Sequence, residues 1–128
     1  MAWIANALDE HDCRIHKVSV GDSKGQQSCE GLSVLVALRA WRKFWTSSHT
    51  ALMLQGYNVA ALTMACRMKA KAGPMKAIAR EVALEFSRTT IMPHLAQHIA
   101  GLTNVLADWL SRRFEPGKED EPMLAALL

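Results

Sequence analysis

HIAGLTNVLADWLSRR, residues 98–113, carries a histidine, a glycine turn and an aspartate near the start of a short helix. The apolar run that leads into it predicts a strand over 91–99, and Gly101 marks the turn that follows. The apolar spacing after the turn is typical of a helix. The stretch therefore predicts a strand, a turn and a helix in succession, with His98 and Asp108 on either side of the turn.

The rest of the chain shows an alternation of strand and helix patterns. We predict helices over 26–45, 58–68 and 74–87. Asn58 is suited to cap the second of these, Pro74 suits the first turn of the third, and the third helix has an apolar stripe of Ile78, Val82 and Phe86, with Met75 and Ala79. We also predict a buried strand over 50–57, and an exposed-edge strand over 14–20, where polar and apolar residues alternate, with a loop over 21–27. A last helix is capped by Thr103 or Asn104 and ends near Phe114. The order of elements is strand, helix, strand, helix, helix, strand, helix. Such alternation is typical of an α/β fold with a short, mostly parallel sheet flanked by helices.

Composition limits the class of protein. The chain has 128 residues, a formal charge of +3 and three cysteines without a CxxC pair. It is long enough for one domain, and its small charge permits a nucleic-acid partner without requiring one. The unpaired cysteine count argues against a disulfide framework, and no apolar run reaches the ~20 residues that a membrane span needs. We therefore expect an intracellular protein, cytoplasmic or nuclear, without a membrane partner.

Three motifs, in this order, carry a resemblance to a known family. They are QQSCEGLSVLVALRAW (26–41), GYNVAAL (56–62) and the 98–113 stretch. Together they resemble the ribonuclease H-like domain of retrotransposon reverse-transcriptase polyproteins. The resemblance implies a ribonuclease H-like fold and, for the parent protein, RNA-directed DNA polymerase and metal-dependent hydrolysis of RNA in RNA–DNA hybrids.

The resemblance also implies a set of site residues. In that family four acidic residues hold catalytic Mg²⁺, and a mobile histidine assists. Glu30 matches the helix acid, Asp108 the last acid and His98 the histidine, so Glu30 and Asp108 are the implied metal ligands. Tyr57 stands where the family has an aspartate, and a neutral phenol is a poor ligand for magnesium. No segment matches the first-strand acid.

The resemblance therefore implies a degenerate copy. Residues 1–114 would form an N-terminally truncated ribonuclease H-like domain without its first central strand, and 115–128 a charged linker and C-terminal tail. With two of four ligands gone, we predict a catalytically inactive chain that does not bind Mg²⁺ productively. A missing central strand also predicts marginal stability, and possible partners are an RNA–DNA hybrid and a second chain that completes the sheet.

Other interpretations stay open at this point. Glu30 could also be an ordinary acid in the first turn of a helix, where it favours the helix dipole, and Asp108 a solvated helix residue. His98 is also typical of a histidine at a strand end whose side chain hydrogen-bonds to the backbone. The chain could instead be a non-catalytic nucleic-acid-binding module that uses the basic groups at 67–71 and 112–113, or a helical interaction protein unrelated to retroelements.

Overall fold

The computed structural model describes residues 4–19, 22–45, 49–56, 58–71, 73–100, 104–118 and 121–125. The described elements, in chain order, are α1 (Glu10–His16), α2 (Ser23–Ala40), a 3-10 turn (Arg42–Phe44), β1 (Thr50–Gly56), α3 (Val59–Arg67), α4 (Pro74–Arg88), β2 (Ile91–His98) and α5 (Val105–Ser111). Within these residues no helix is both long enough and apolar enough to cross a membrane.

The two described strands pair in parallel, which confirms the coarse α/β prediction. Thr50 lies opposite Ile91 at one end of the pair and Gly56 opposite His98 at the other. The register breaks after the pairing of Leu52 with Pro93. Proline has no N–H to donate to a ladder, so a break in register beside it is expected. The register therefore shifts beside the proline, while β2 continues to His98.

Local signals explain the crossover that joins the strands. Asn58 caps α3, since its side chain accepts a hydrogen bond from the N–H of Ala61 at 3.0 Å. Gly73, with φ of +62°, precedes Pro74 at the first turn of α4. Glycine tolerates that left-handed backbone, and proline suits a first turn because its missing N–H is not needed there. Both helix starts were predicted from these residues.

The core lies where α2, α3 and α4 meet. Its buried side chains are Leu35, Leu38, Met64, Ile78, Ala79, Val82, Phe86 and Ile91. On α4 the spacing of Ile78, Val82 and Phe86 by four residues places them on one face, as predicted. α3 also contacts both strands. The helices therefore cover one face of the parallel pair and bury one apolar cluster against it.

The N-terminal region differs from its prediction. Residues 14–20 were expected to form an edge strand, but Glu10–His16 is a helix, and Ser23 already belongs to α2 rather than to a loop. Asp9 and Asp12 form a capping box: each side chain accepts a hydrogen bond from the backbone N–H of the other, at 2.8 and 3.2 Å. The box satisfies two N–H groups that a short helix otherwise leaves unpaired. The edge-strand prediction was wrong because it overlooked this cap.

Two predicted helix ends also shift. The helix predicted over 26–45 ends at Ala40 and continues as the 3-10 turn, and the last helix ends at Ser111 rather than near Phe114. Helix ends often tighten into 3-10 geometry, so a change within one turn is expected. The division of the chain at residues 114 and 115 stays a prediction.

Candidate functional site at the carboxyl edge of the strands

The direction of α2 follows from contacts at its two ends. Beyond its C-terminal end, the backbone carbonyl of Trp45 accepts a hydrogen bond from Thr90 Oγ1 at 3.0 Å, just before β2 begins. Earlier on α2, a Cβ at Gly31 would lie 3.1 Å from Met64 Cε on α3 and 2.7 Å from Met75 Sδ near the start of α4. α3 begins where β1 ends. The first half of α2 thus lies towards the carboxyl edge of the strands, where α/β sheets commonly bind ligands.

Glu30 occupies this first half of α2 and is only half-exposed. Burial raises the pKa of its carboxyl above the ordinary value. Among the described residues, no cation or hydrogen-bond donor pairs with that carboxylate. A charge held out of water without a partner costs stability, and such groups concentrate at functional sites.

Glu85 on α4 is a buried carboxylate that, unlike Glu30, is paired with arginines. Its side chain is 1% exposed, and it accepts hydrogen bonds from Arg39 Nε at 3.1 Å and from Arg42 Nη2 at 2.6 and 2.7 Å. Burial alone would raise its pKa, but the hydrogen bonds and charges of Arg42 and Arg39 outweigh burial, and the pKa is lowered. Glu81 adds a 2.8 Å bond to Arg39.

Sequence reasoning missed this cluster of Arg39, Arg42, Glu81 and Glu85, here called the arginine–glutamate cluster. The only sequence signal was the spacing: two arginines three residues apart and two glutamates four residues apart, each pair on one helical face. That spacing does not say which helices meet. The cluster joins the C-terminal end of α2 and the 3-10 turn to α4. Glu30 lies in the first half of α2, away from this contact, so we interpret the cluster as structural.

His98 ends β2 at the carboxyl edge. It lies opposite Gly56 in the register, and the next N–H, that of Ile99, donates to the Gly56 carbonyl at 2.8 Å. The His98 side chain is exposed. Tyr57, the residue that replaces the expected aspartate, falls outside the described residues. The strand pairing therefore brings His98 beside the residue that precedes Tyr57.

Asp108 lies in the first turn of α5, with half of its side chain exposed, and it forms an ion pair with Arg112 one turn later at 3.2 Å. No α5 residue is buried. Arg113 lies over the Trp109 ring, 5.7 Å from its centre. Asp108 is therefore partly neutralised by its own helix, unlike Glu30.

The donor set does not fit a two-ion magnesium centre. Glu30 and Asp108 supply the anionic oxygens that magnesium prefers. However, within the described ranges, no three side chains of His, Cys, Asp or Glu lie close enough to share an ion. Two-ion hydrolysis needs several converging carboxylates. Glu30 and Asp108 are two carboxylates, and among the described residues no group of three possible ligands forms around either of them.

A basic stretch runs from the last residue of α3 into the connection to α4. Residues 31–80 contain no aspartate or glutamate, and within them Arg67, Lys69 and Lys71 crowd into five positions. All three side chains are exposed, and in the described part of the chain none forms an ion pair. In contrast, Arg39, Arg42 and Arg112 have acidic partners. We call Arg67, Lys69 and Lys71 the linker cations.

Comparisons with known proteins add no relative. No family model matches the chain, and neither the curated proteins nor the solved structures contain a match.

Proposed function

We propose that this chain is a catalytically inactive, ribonuclease H-like fragment of a retroelement reverse-transcriptase polyprotein. The observation that supports it is the environment of Glu30. Its carboxylate is half-buried and has no partner among the described residues, and it lies on the half of α2 towards the edge where His98 ends β2. A purely structural acid would be paired, as Glu85 is. In this proposal Glu30, Asp108 and His98 are vestigial site residues that no longer form a working metal centre.

The hydrolysis test uses a labelled RNA–DNA hybrid with Mg²⁺, and with Mn²⁺ in parallel. We expect no more cleavage than without protein, because the residues that match the family supply two of its four acids. Tyr57→Asp should not restore cleavage, since the first-strand acid is also unmatched. Metal-dependent cutting that disappears in Glu30→Gln would refute the inactivity and would assign Glu30 a live role.

A second candidate function, hybrid binding without chemistry, rests on the linker cations. Three exposed cations that have no acidic partner in the described part of the chain are suited to phosphate contacts, which release counterions and make binding salt-dependent. The parallel pairing of β1 and β2 is at odds with the alternative of an all-helical interaction protein. A second chain that completes the sheet stays part of the proposal.

The binding test measures affinity for an RNA–DNA hybrid across a range of salt concentrations. Changing Arg67, Lys69 and Lys71 together to Gln should weaken binding and reduce the slope of log K against log salt by about 3, near 0.9 per lost duplex contact. The matched control changes Arg14, Lys17 and Lys43 to Gln, which removes the same charge from exposed positions elsewhere. Equal losses in both triple variants, or no binding at low salt, would exclude the linker cations as the contact surface.

A further inference from the structure

A cavity of about 410 Å³ lies between the end of α1, α2 and the first half of α4. Leu35 of α2 and Ile78 of α4 line it, and because both are buried they form its floor. A volume of this size is typical of sites that hold a small ligand. Glu30, His98 and Asp108 do not line the cavity, so it is distinct from the candidate site at the carboxyl edge.

The walls of the cavity are mostly apolar. Ile15 in the last turn of α1 lines it, as do Pro74 and Ala77 on α4. Val18, just beyond α1, is buried against Gly25 of α2, but none of the side chains of α1 itself is buried. Ile15 is therefore left 59% exposed beside the cavity. An apolar ligand would cover this side chain and add apolar burial that the chain does not provide by itself.

The charges around the cavity favour an anionic group at its rim. Lys17 lines the cavity, is exposed and forms no ion pair within the described part of the chain. Glu81 is the only carboxylate among the described lining residues, and Arg39 and Arg80 lie 2.8 and 3.7 Å from its oxygens. The carbonyls at the end of α1 already accept hydrogen bonds from the N–H groups of Lys17 and Val18, which reduces their repulsion of an anion. The Lys17 ammonium is therefore available to pair with a ligand.

We propose that this cavity binds a small amphipathic carboxylic acid, such as a medium-chain fatty acid, with its carboxylate at Lys17 and its alkyl chain over Leu35 and Ile78. The alkyl chain supplies most of the affinity, because it leaves water for an apolar surface. The partly exposed ion pair adds little affinity and mainly orients the ligand. His16 lies next to Lys17 in the lining, and its imidazole N–H can donate to the second carboxylate oxygen. This inference does not depend on the proposed function.

The test titrates the full ¹⁵N-labelled chain, followed by NMR, with three ligands that share one tail: octanoate, 1-octanol and octylammonium. Each is kept below the concentration at which it forms micelles. We expect octanoate to saturate one site with a dissociation constant on the order of 1 mM, and its shifts to centre on the residues that line the cavity. Octanol should bind about threefold more weakly, because it lacks the ion pair, and octylammonium should bind most weakly of the three.

Two variants separate the contributions of the tail and the carboxylate. Ala77→Phe fills the cavity from an exposed position on α4 and should abolish the binding of octanoate and octanol alike. Lys17→Gln should weaken octanoate binding about threefold and leave octanol binding unchanged. Lys43→Gln, the matched control, removes the same charge from an exposed position that does not line the cavity, and should change neither. Circular dichroism checks that each variant is folded.

Other outcomes overturn the inference. Octanoate shifts centred outside the lining residues, or octanoate binding that survives Ala77→Phe, would place the ligand elsewhere. Octylammonium binding as tight as that of octanoate, or an unchanged affinity for octanoate in Lys17→Gln, would remove the role of the ammonium group. A folded chain that shows no saturable binding of octanoate would exclude the cavity as a site for this class of ligand.

Discussion

Glu85→Gln is the sharpest test of how α2 is held against α4. The change keeps the size of the side chain and removes its charge. Breaking a fully buried ion pair costs about 3–5 kcal/mol. Here Arg39 and Arg42 are 44% and 43% exposed and can be rehydrated, and Arg39 keeps Glu81. We therefore expect a loss of about 2 kcal/mol in the free energy of unfolding.

Urea unfolding followed by circular dichroism measures this loss as a lower midpoint with an unchanged m value. Glu81→Gln is the matched control. Its side chain is 33% exposed and bonds an exposed arginine, so we expect a change of at most about 0.5 kcal/mol. If Glu85→Gln lowers the free energy of unfolding no more than Glu81→Gln does, the arginine–glutamate cluster does not hold α2 against α4.

The pH dependence follows from the lowered pKa of Glu85. Its folded pKa lies below the ordinary 4.5, so its contribution to stability is present above pH 4.5 and is lost as the pH falls through the folded pKa. The difference in unfolding free energy between wild type and Glu85→Gln should therefore be constant from pH 8 to 5 and shrink below pH 4.5. A difference that grows on acidification would contradict this origin.

Three further substitutions test single features by the same urea assay. Glu30→Gln should stabilise the chain at pH 7 by less than about 1 kcal/mol, because the folded pKa of Glu30 is raised. The protonated carboxyl contributes stability that is present below pH 4.5 and is lost as the pH rises through the folded pKa, so the gain from the substitution should vanish below pH 4.5. A loss of stability at pH 7 would contradict the unpaired carboxylate. Trp45→Phe should lower the free energy of unfolding by less than about 1 kcal/mol, although the ring packs on the core. The buried Nε1 has no hydrogen-bond partner among the described residues, so the substitution breaks no hydrogen bond there. A cost of about 3 kcal/mol would indicate that Nε1 does have a partner. Gly31→Ala should lower the free energy of unfolding by about 1 kcal/mol. The new Cβ would lie 2.7 Å from Met75 Sδ, and the cost of this overpacking exceeds the gain from the higher helix propensity of alanine. A more stable variant would show that the flexible methionine side chains move aside.

Much of the fold was readable from local pattern. The four-residue spacing of Ile78, Val82 and Phe86 predicted the buried face of α4, and Asn58 and Pro74 predicted where two helices begin. These signals depend on residues within one or two helical turns of each other, so they can be recognised in the sequence. The same reasoning failed at Glu10–His16, where a two-residue alternation was taken for a strand and the capping box of two aspartates was overlooked.

For the candidate site, the sequence by itself supplied the candidate residues Glu30, His98 and Asp108, with Tyr57 at a position where the resemblance implies an acid. The tertiary structure decided what each carboxylate meets. Glu85 belongs to no motif in the sequence, yet it is buried between two arginines more than forty positions away, while Glu30 is half-buried with no partner among the described residues. The reason is physical: the ionisation of a carboxyl depends on water and charges within a few ångströms, and long-range packing sets those neighbours.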